Sequence, residues 1–581
     1  MTADTLTSLL LARAADDRPG LVFDGRVWSW REHVAACRAA GRWLSVRGAG
    51  THVGVLSENV PELVFLIGGA ALAGHVVVAL NPTRAVDELV RDARATDVSL
   101  LLADGPYLGV AREVAEALGV AMLPLAEALG AAAEPEAETE AEATTEAEAT
   151  TAEEAGAAVP EEVGVAGPEE AGVAVPEEAG VAGRTGVDSA GLVMLIFTSG
   201  TSGRPRAVRI TQRKLAVPGV SLAALLTPED VVYCSMPLFH SGALMAAYAP
   251  AVASGAALVL RRRFSASGLL PDIRRYGCTY LHYVGKALSY ALATPERPDD
   301  ADNPLRVAFG NEGGALATKR FGERFGCGVI DAFGSTETAI SLTPDPSGPP
   351  GCLGRLPAGV DILDPATGKP CRPALIEDGR LLNPDEAVGE LVNTAGLGLF
   401  EGYYNDPEAD AERIRDGAFW SGDLAYMDPG GYVFFAGRGT ERLRVDGENL
   451  AVAPIEMALR EFGGVVEAAV YPVPDPVAGD RVMAALVLEG DFDPAAFAAF
   501  LAARRDLGVK SLPRYIRICR ELPLTPSHKV IKRHLAREAW RTTDAVWRRA
   551  GDLTFGPLTA AEVEGIEEEF VRHGRHHLLE K

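Results

Sequence analysis

Cysteine is scarce in this chain of 581 residues, and the seven cysteines that it has form no pattern. They are scattered, their number is odd, and no two of them are spaced as Cys-x-x-Cys. Such pairs are typical of zinc sites, and closely spaced even sets are typical of secreted disulfide-rich domains. We therefore expect reduced thiols, no structural zinc and a cytoplasmic protein.

A basic and then apolar leader is also missing, so no signal peptide is predicted. One stretch, residues 63–80, lacks Asp, Glu, Lys and Arg and approaches the length that a membrane span needs. It holds three glycines and His75, and it ends in a run of valines before Asn81 and Pro82. This pattern favours a buried helix followed by a buried strand, and no transmembrane segment is predicted.

Positive charge is absent from residues 131–180, which hold fifteen glutamates and account for more than half of the net charge of -25. An eight-residue repeat, Pro-Glu-Glu-x-Gly-Val-Ala-x, begins at Pro160, Pro168 and Pro176. Ala, Glu, Gly and Pro without aromatic residues cannot offset the entropy of ordering, so about 131–188 is predicted to be a disordered acidic insertion. It serves as a solvated spacer or a partner-binding segment, and its charge gives no support to nucleic-acid binding.

No Walker loop is present, yet a different phosphate-binding pattern is. An apolar run at residues 194–197 ends in glycines and hydroxyl residues, and a basic Arg204-Pro205-Arg206 follows. Glycines let the backbone turn toward a ligand, and a nest of N–H groups beside cations suits the phosphates of a nucleotide, although a surface turn is the plainer alternative. The candidate phosphate contacts are Thr198, Ser199, Gly200, Thr201, Ser202, Gly203 and Arg206.

This loop resembles the signature of the adenylate-forming superfamily, which includes acyl-CoA synthetases, luciferases and peptide-synthetase adenylation domains. Arg206 stands where that signature usually has Lys, and Ala207 stands where it usually has Gly. The resemblance implies an α/β fold with a large multi-subdomain N-terminal domain, residues 1–438, which contains the acidic insertion. It also implies a small mobile α+β C-terminal domain, residues 441–581.

Two further motifs are similar to signatures of the same superfamily. In residues 236–242 the resemblance implies that His240 borders the acyl pocket. In residues 331–338 it implies that Phe333 lies beside adenine, that Thr336 contacts the α-phosphate and that Glu337 holds Mg²⁺, an ion that prefers carboxylates and phosphate oxygens. The remaining residues assigned to the adenine side are Gly310, Asn311, Glu312, Asp331 and Ala332.

The ribose and thiol motifs continue the resemblance toward the C-terminus. It implies that Asp423 accepts hydrogen bonds from both ribose hydroxyls, with Arg438 as its companion, and that Glu441 is the hinge of the mobile domain. The loop that enters the site for the thiol step and helps to form the coenzyme A tunnel carries Arg444, Gly447, Glu448 and Asn449.

Lys529 aligns with the superfamily's mobile lysine, which reaches the acyl carboxylate and the α-phosphate. An ammonium between two anions neutralises developing charge. His528 stands where glycine is usual beside that lysine, and Lys532 is interpreted as part of a solvated basic run.

Residues 279–285 and 305–311 look like the fatty-acid-transport-protein and very-long-chain acyl-CoA synthetase branch. The resemblance implies a ligase that uses ATP, Mg²⁺ and coenzyme A to make a thioester of a bulky or long-chain hydrophobic acid through an acyl-AMP, with His240, Glu337 and Lys529 as catalytic residues. Because Arg206 and His528 depart from the adenylation motifs, thioesterification of an acyl-adenylate supplied by a partner enzyme stays open. Loading of a carrier protein, non-catalytic acyl binding and a homodimer stay open too.

Periodicity predicts strands that include residues 231–233, 257–260, 329–330, 468–472 and 482–488. From about residue 541 the charged tail is predicted to be helical. Its three histidines, His573, His576 and His577, are interpreted as solvated residues and not as a metal site.

Deletion of residues 131–180 should leave the thermal unfolding midpoint and thioester formation nearly unchanged, because the segment offers no apolar face for packing. Differential scanning fluorimetry of the deleted and full-length chains checks this. A large fall in the midpoint would show that the segment is ordered against the core.

Overall fold

The fold is that of a computed structural model, which describes most of the chain apart from the acidic insertion and several short loops. The described residues are 4–48, 51–82, 84–127, 188–199, 205–285, 287–313, 315–345, 347–349, 351–377, 380–438, 443–445, 448–450, 452–477, 480–504, 507, 509–524, 530–551, 553–573 and 575–579. The predicted disordered segment, about 131–188, therefore lies almost wholly outside them.

Two mostly parallel sheets form the N-terminal part of the chain. Sheet A has seven strands in the spatial order Gly328–Asp331, Val307–Asn311, Tyr280–Val284, Val231–Cys234, Ala257–Leu260, Pro19–Phe23 and Arg26–Ser29. Sheet B has six, in the order Ala121–Pro124, Leu100–Ala103, His52–Leu56, Val76–Ala79, Leu192–Ser199 and Pro205–Thr211. In each sheet only the last pair is antiparallel. Inner strands such as Val76–Ala79 are buried throughout, as parallel strands covered on both faces are.

Two further sheets follow. Sheet C is antiparallel and contains, in spatial order, Cys352–Arg355, Tyr432–Arg438, Ala418–Met427, Gly389–Asn393 and Val360–Leu363, with Ile414–Arg415 beside its third strand. Sheet D contains Val465–Pro474, Asp480–Leu488, Tyr515–Ile518, Ala545–Arg549 and Phe555–Pro557. The remaining strands of the described residues form three two-stranded ribbons: Phe333–Gly334 with Ser341–Leu342, Ile376–Glu377 with Arg380–Leu381, and Leu443–Val445 with Glu448–Leu450.

Helices cover the sheets and connect their strands. The α-helices are Leu6–Leu11, Trp30–Ser45, Pro61–Ala73, Val86–Ala95, Leu108–Leu118, Gln212–Ala223, Ser241–Ala243, Ala249–Ser254, Ala266–Tyr276, Ala287–Leu292, Ala315–Phe325, Pro384–Ala387, Pro407–Arg413, Val452–Arg460, Pro494–Ala503, Lys532–Glu538 and Ala560–Arg572. A π-helical turn, Leu244–Tyr248, joins two of them, and short 3₁₀ turns span Gly105–Tyr107, Val509–Ser511 and His576–Leu579.

The apolar stretch at residues 63–80 forms the buried helix Pro61–Ala73 and the buried strand Val76–Ala79, as predicted. Proline at its first turn and Gly74 in the left-handed conformation fix the two ends of the helix. The helix is apolar on all sides because it packs against other elements all round. Within the described ranges, no helix has both the length and the apolarity that a membrane span needs.

The strands predicted at residues 231–233, 257–260, 329–330, 468–472 and 482–488 are all present; the second has the predicted bounds, and the other four are longer than predicted. The prediction of a helical tail from about 541 is wrong over its first part. Ala545–Arg549 and Phe555–Pro557 extend sheet D before the helix Ala560–Arg572 begins. Trp547 and Phe555 pack on the apolar cluster of that sheet. The many charged residues of the tail gave no indication of this packing. His573 and His576 are exposed.

The predicted domain boundary lies just after sheet C. Tyr432–Arg438 is its last strand, and the next described residues form the ribbon Leu443–Val445 with Glu448–Leu450. Two apolar clusters lie wholly beyond this point, which fits a unit with its own core. Mobility of that unit stays a prediction.

Substitution of Gly69 by alanine should destabilise the N-terminal part by about 1–3 kcal/mol, because overpacking forces neighbours to move. A Cβ at Gly69 would lie 2.7 Å from the carbonyl oxygen of Cys37 and 2.7 Å from the nitrogen of Gly41. Thermal unfolding measures the effect. Gly109→Ala is the matched control, since Gly109 is also helical and a Cβ there meets nothing within 4 Å. Equal midpoints for the two variants would contradict the prediction.

Candidate active site

Three neighbouring strands of sheet A end at one edge, and their ends bring together residues that were predicted to lie on the adenine side. Tyr283, Gly310 and Asp331 lie side by side in register. The Tyr283 hydroxyl donates to Asp331 Oδ1 at 2.9 Å, and the Gly313 N–H donates to the same oxygen at 3.0 Å. Burial, helped by the Asp331 charge, raises the pKa of Tyr283 well above its ordinary value, so this hydroxyl stays a donor. In open α/β sheets, ligands bind at this carboxyl edge.

Gly310 is packed closely within its strand, which ends at Asn311 on that edge. A Cβ at Gly310 would lie 2.1 Å from the carbonyl oxygen of Tyr283, so only glycine fits there. Asn311 has a buried Oδ1 with no hydrogen-bond partner in the described part of the chain. Glu312 has a φ of 63°, a left-handed conformation that non-glycine residues rarely adopt. An unsatisfied buried acceptor and local strain are features of ligand sites.

Hydroxyl and carboxylate groups from separate segments meet beside this loop. Ser241 Oγ lies 2.9 Å from Thr336 Oγ1, and the Tyr403 hydroxyl donates to Glu337 Oε1 at 2.9 Å. The Phe333 ring lies 6.0 Å from that of Phe435, and the Ala332 N–H donates to the Gly310 carbonyl at 2.8 Å. The motif at residues 331–338 is thereby joined to the motif at residues 236–242.

His240 precedes the helix Ser241–Ala243, and its Nδ1 accepts from the Gly242 N–H at 3.4 Å. His282 lies next to Gly242, and its Nδ1 donates to the Phe309 carbonyl at 3.1 Å. Burial lowers the pKa of His282 to about 4, so this imidazole is neutral. A Cβ at Gly242 would lie 2.8 Å from His282 Nε2, which explains the glycine beside His240.

Asp423 is buried in sheet C, and its backbone pairs with that of Arg438 across the ladder. The strand is bulged before it, and this bulge is held by Glu390, which accepts from the Gly422 N–H at 2.6 Å, and by the Ser421 hydroxyl, which accepts from the Asp423 N–H at 3.1 Å. Burial raises the pKa of Glu390 despite that hydrogen bond.

Arg206 is buried and turned toward the protein. Its guanidinium hydrogen-bonds Glu412 and lies 5.4 Å from the Tyr403 ring centroid. Burial opposes its charge, but the hydrogen bonds to Glu412 and Tyr403 outweigh this and raise its pKa. Its Nη1 has no hydrogen-bond partner among the described residues.

Several predicted site residues lie outside the described residues, so their assignments stay predictions. They are Gly200, Thr201, Ser202, Gly203, Glu441, Gly447, His528 and Lys529. For Ser199, Arg438, Arg444, Glu448 and Asn449 the structure describes the backbone alone. Thr198 is in register with Arg206 where Leu192–Ser199 pairs with Pro205–Thr211. Lys532 is not a solvated residue, because it forms an ion pair with Glu456 at 2.9 Å and is largely buried.

Sequence reasoning missed three residues that shape the site. Tyr403 stands in the stretch Gly402-Tyr403-Tyr404-Asn405-Asp406-Pro407, where the sequence alone gives this tyrosine no role. Glu390 directly precedes the apolar residues of a buried strand. That position was the one indication in the sequence that its carboxylate is buried. Lys214 is fully buried, although Gln212-Arg213-Lys214 reads as a solvated helix start.

Comparison with known proteins identifies the family. A model of the AMP-binding enzyme family matches residues 11–404, and one of the AMP-binding enzyme C-terminal domain matches residues 454–529. The chain belongs to the AMP-binding enzyme family. It is 43% identical over 586 residues to a steroid-22-oyl-CoA synthetase of Rhodococcus jostii (strain RHA1), with 99% of each chain covered. It is 45% identical over 553 residues to the medium/long-chain-fatty-acid–CoA ligase FadD17 of Mycobacterium tuberculosis (strain ATCC 25618 / H37Rv), with 94% of this chain and 99% of the relative covered.

Solved structures agree on the fold. ATP-bound MatB from Rhodopseudomonas palustris matches with a TM-score of 0.73 at 23% identity, over 92% of this chain and 98% of that one. The anthranilate CoA ligase AuaEII in complex with anthranoyl-AMP matches with a TM-score of 0.73 at 19% identity, over 93% and 100%. The predicted superfamily and fold class are confirmed. The prediction of an acyl-CoA ligase is confirmed at the level of class, since relatives that match nearly the whole chain are CoA ligases and synthetases.

Substitution of Glu390 by alanine should weaken AMP binding by about tenfold, because the half-buried Gly422 N–H loses its acceptor and the bulge that holds Asp423 loosens. Glu390→Gln is the matched control, since its carbonyl oxygen can still accept from Gly422. Isothermal titration calorimetry with AMP measures both variants. Equal losses would mean that the carboxylate charge, and not the hydrogen bond, is what counts.

Proposed function

We propose that this protein is an acyl-CoA ligase that activates a bulky or long-chain hydrophobic carboxylic acid with ATP and transfers the acyl group to coenzyme A. In the first half-reaction the acid's oxygen attacks the α-phosphorus and pyrophosphate leaves. In the second the thiol sulfur attacks the acyl carbon and AMP leaves. The observation that carries the proposal is the meeting of Ser241, Thr336, Glu337 and Tyr403 at the carboxyl edge of sheet A.

The side chains at this edge fit the parts of a nucleotide. The orphan acceptor Asn311 Oδ1 suits the amino group of adenine, and the Phe333 ring offers a face for stacking. The buried carboxylate of Asp423 suits the two ribose hydroxyls, with Arg438 opposite in the ladder. The paired hydroxyls of Ser241 and Thr336 can donate to an α-phosphate.

Glu337 would hold Mg²⁺, since the ion prefers one or two carboxylates together with phosphate oxygens. Bound there, the ion would neutralise charge on the phosphates. The Tyr403 hydroxyl fixes one oxygen of Glu337 and thereby orients the carboxylate before a ligand arrives. Preorganised groups of this kind need no rearrangement at the moment of reaction.

The substrate class rests on the relatives and on the wall beside His240. The relatives named above act, by their names, on a steroid acid and on medium- and long-chain fatty acids. The segment after His240, from Ala243 to Tyr248, carries no charged side chain. Its π-helical turn widens the helix next to the proposed acyl pocket, a position where such turns often serve function.

The remaining roles belong to the C-terminal part. Lys529 would meet the acyl carboxylate and the α-phosphate during adenylation, and rotation about Glu441 would replace it with the loop that holds Arg444, Gly447, Glu448 and Asn449. The phosphates of ATP would lie against Ser199, Gly200, Thr201, Ser202 and Gly203. We place the enzyme in the cytoplasm, and none of its seven cysteines is in a disulfide.

One observation favours a narrower activity, thioesterification of a preformed acyl-adenylate. Arg206, which stands at the usual lysine position of the phosphate loop, is tied to Glu412 and Tyr403. A guanidinium held in this way is less available to pyrophosphate than a compact, mobile ammonium. In that case a partner enzyme supplies the acyl-adenylate.

Lys529→Ala should abolish pyrophosphate exchange with a hydrophobic acid but largely spare thioester formation from a synthetic acyl-adenylate. The reason is that its ammonium serves the adenylation step alone. The two assays on wild type, on this variant and on the exposed control Arg533→Ala measure the difference. Brisk exchange by wild type excludes the narrower activity. Wild type inactive in both assays across a panel of steroid and fatty acids would refute the proposed function.

A further inference from the structure

Lys214 is a charged side chain with no exposure to solvent. It lies in the first turn of the helix Gln212–Ala223, which follows the second strand of the phosphate-loop hairpin. Its Nζ makes no hydrogen bond to any residue that the structure describes. Burial of an ammonium is costly unless opposite charge lies nearby, so its surroundings should compensate.

Two carboxylates face this ammonium. Glu337 and Glu401 both act on its charge and oppose the effect of burial, which nevertheless lowers the pKa of Lys214 to about 8. Its Nζ also lies 5.7 Å from the centroid of the Phe400 ring, a cation–π distance. Lys214 is therefore a cation placed against acidic groups and an aromatic face.

Hydrogen bonds and a ring contact hold both carboxylates in the region of Lys214. Glu401 accepts from the Thr211 hydroxyl at 3.2 Å, and Thr211 also caps the helix that carries Lys214. Glu337 accepts from the Tyr403 hydroxyl, and the Tyr403 ring lies 5.0 Å from that of Phe400. Contacts through Thr211, Tyr403 and Phe400 thus hold Lys214 and the two carboxylates in one region of the protein.

We propose that Lys214 is a positioning residue whose ammonium is a fixed counter-charge for Glu337 and Glu401. When Glu337 holds no divalent cation, the ammonium supplies the positive charge in its place. This role of Lys214 rests on the proposed function, because it requires Glu337 to be the metal ligand. Between turnovers the charges of Glu337 and Glu401 would otherwise be left without this counter-charge. With Lys214 present, Glu337 keeps its orientation for the next nucleotide.

A fixed cation behind a metal ligand has a measurable consequence. Because like charges repel, Lys214 weakens the binding of Mg²⁺ at Glu337 while it stabilises the metal-free protein. Removal of the charge should therefore destabilise the metal-free state and tighten the binding of Mg²⁺. If Lys214 only filled space, its replacement would destabilise the metal-free state but leave the binding of Mg²⁺ unchanged.

The test uses Lys214→Met in the full-length protein, with the exposed lysine variant Lys319→Met as the matched control. Thermal unfolding is followed in EDTA and during a Mg²⁺ titration at fixed ATP, without acid or coenzyme A. We expect a lower midpoint in EDTA for Lys214→Met, and a Mg²⁺ concentration for half of the stabilisation that is lower by roughly tenfold. A Mg²⁺ dependence equal to that of wild type would overturn the proposal.

A double-mutant cycle in EDTA tests the counter-charge without metal or substrate. Lys214→Met should lower the midpoint much less in a Glu401→Gln background than in wild type, whereas additive losses would overturn the proposal. If Lys214→Met alone does not fold, the double variant should fold, and its failure to do so would also count against the counter-charge. Failure of the proposed function is seen separately, as the absence of any Mg²⁺- and ATP-dependent stabilisation of wild type.

Discussion

The site depends on the pairing of a short segment, residues 400–404, with the outer strand of sheet B. The Tyr404 N–H donates to the Ala207 carbonyl at 2.8 Å, and Tyr403 forms a bridge with Val208. This pairing directs the Tyr403 hydroxyl to Glu337 and carries Phe400 and Glu401 to Lys214. Phe400 packs in turn on Phe419 of sheet C. The phosphate-loop hairpin, the motif at 331–338 and sheet C therefore meet through one stretch of five residues.

Buried polar atoms without hydrogen-bond partners among the residues described occur next to this segment and at the carboxyl edge of sheet A. Asn311 Oδ1, Arg206 Nη1 and Lys214 Nζ are buried, and none makes a hydrogen bond to a described residue. An unsatisfied buried group costs about 1–3 kcal/mol, so such a concentration marks a site that a ligand or a charge completes. Folding stability and the proposed ligand binding are thus opposed at these residues.

The sequence predicts those parts of the molecule that local pattern controls. The buried helix and strand at 63–80 follow from apolar runs with glycine and proline at their ends. The first glycine of the motif at 309–314, Gly310, has no room for a side chain, while the adenine-side role of that motif stays a prediction. Lys214 and Glu390 escape prediction because their burial is decided by segments nearly two hundred and some thirty residues away, at Phe400 and Gly422. The tail was misjudged for a related reason. Its strands add to sheet D through Tyr515–Ile518, a partner that no local pattern in the tail reveals.

The order of strands in sheet B bears on how the chain tolerates its long acidic segment. Ala121–Pro124 and Leu192–Ser199 are consecutive among the described strands, yet three other strands lie between them in the sheet. A connection between them has to cross the sheet whatever its length. Since the entropy of closing a flexible loop grows only with the logarithm of its length, a tenfold longer connection costs about 2 kcal/mol more. Evolution can therefore lengthen, shorten or rewrite this connection at little energetic cost, while the registers at the carboxyl edge of sheet A stay the same.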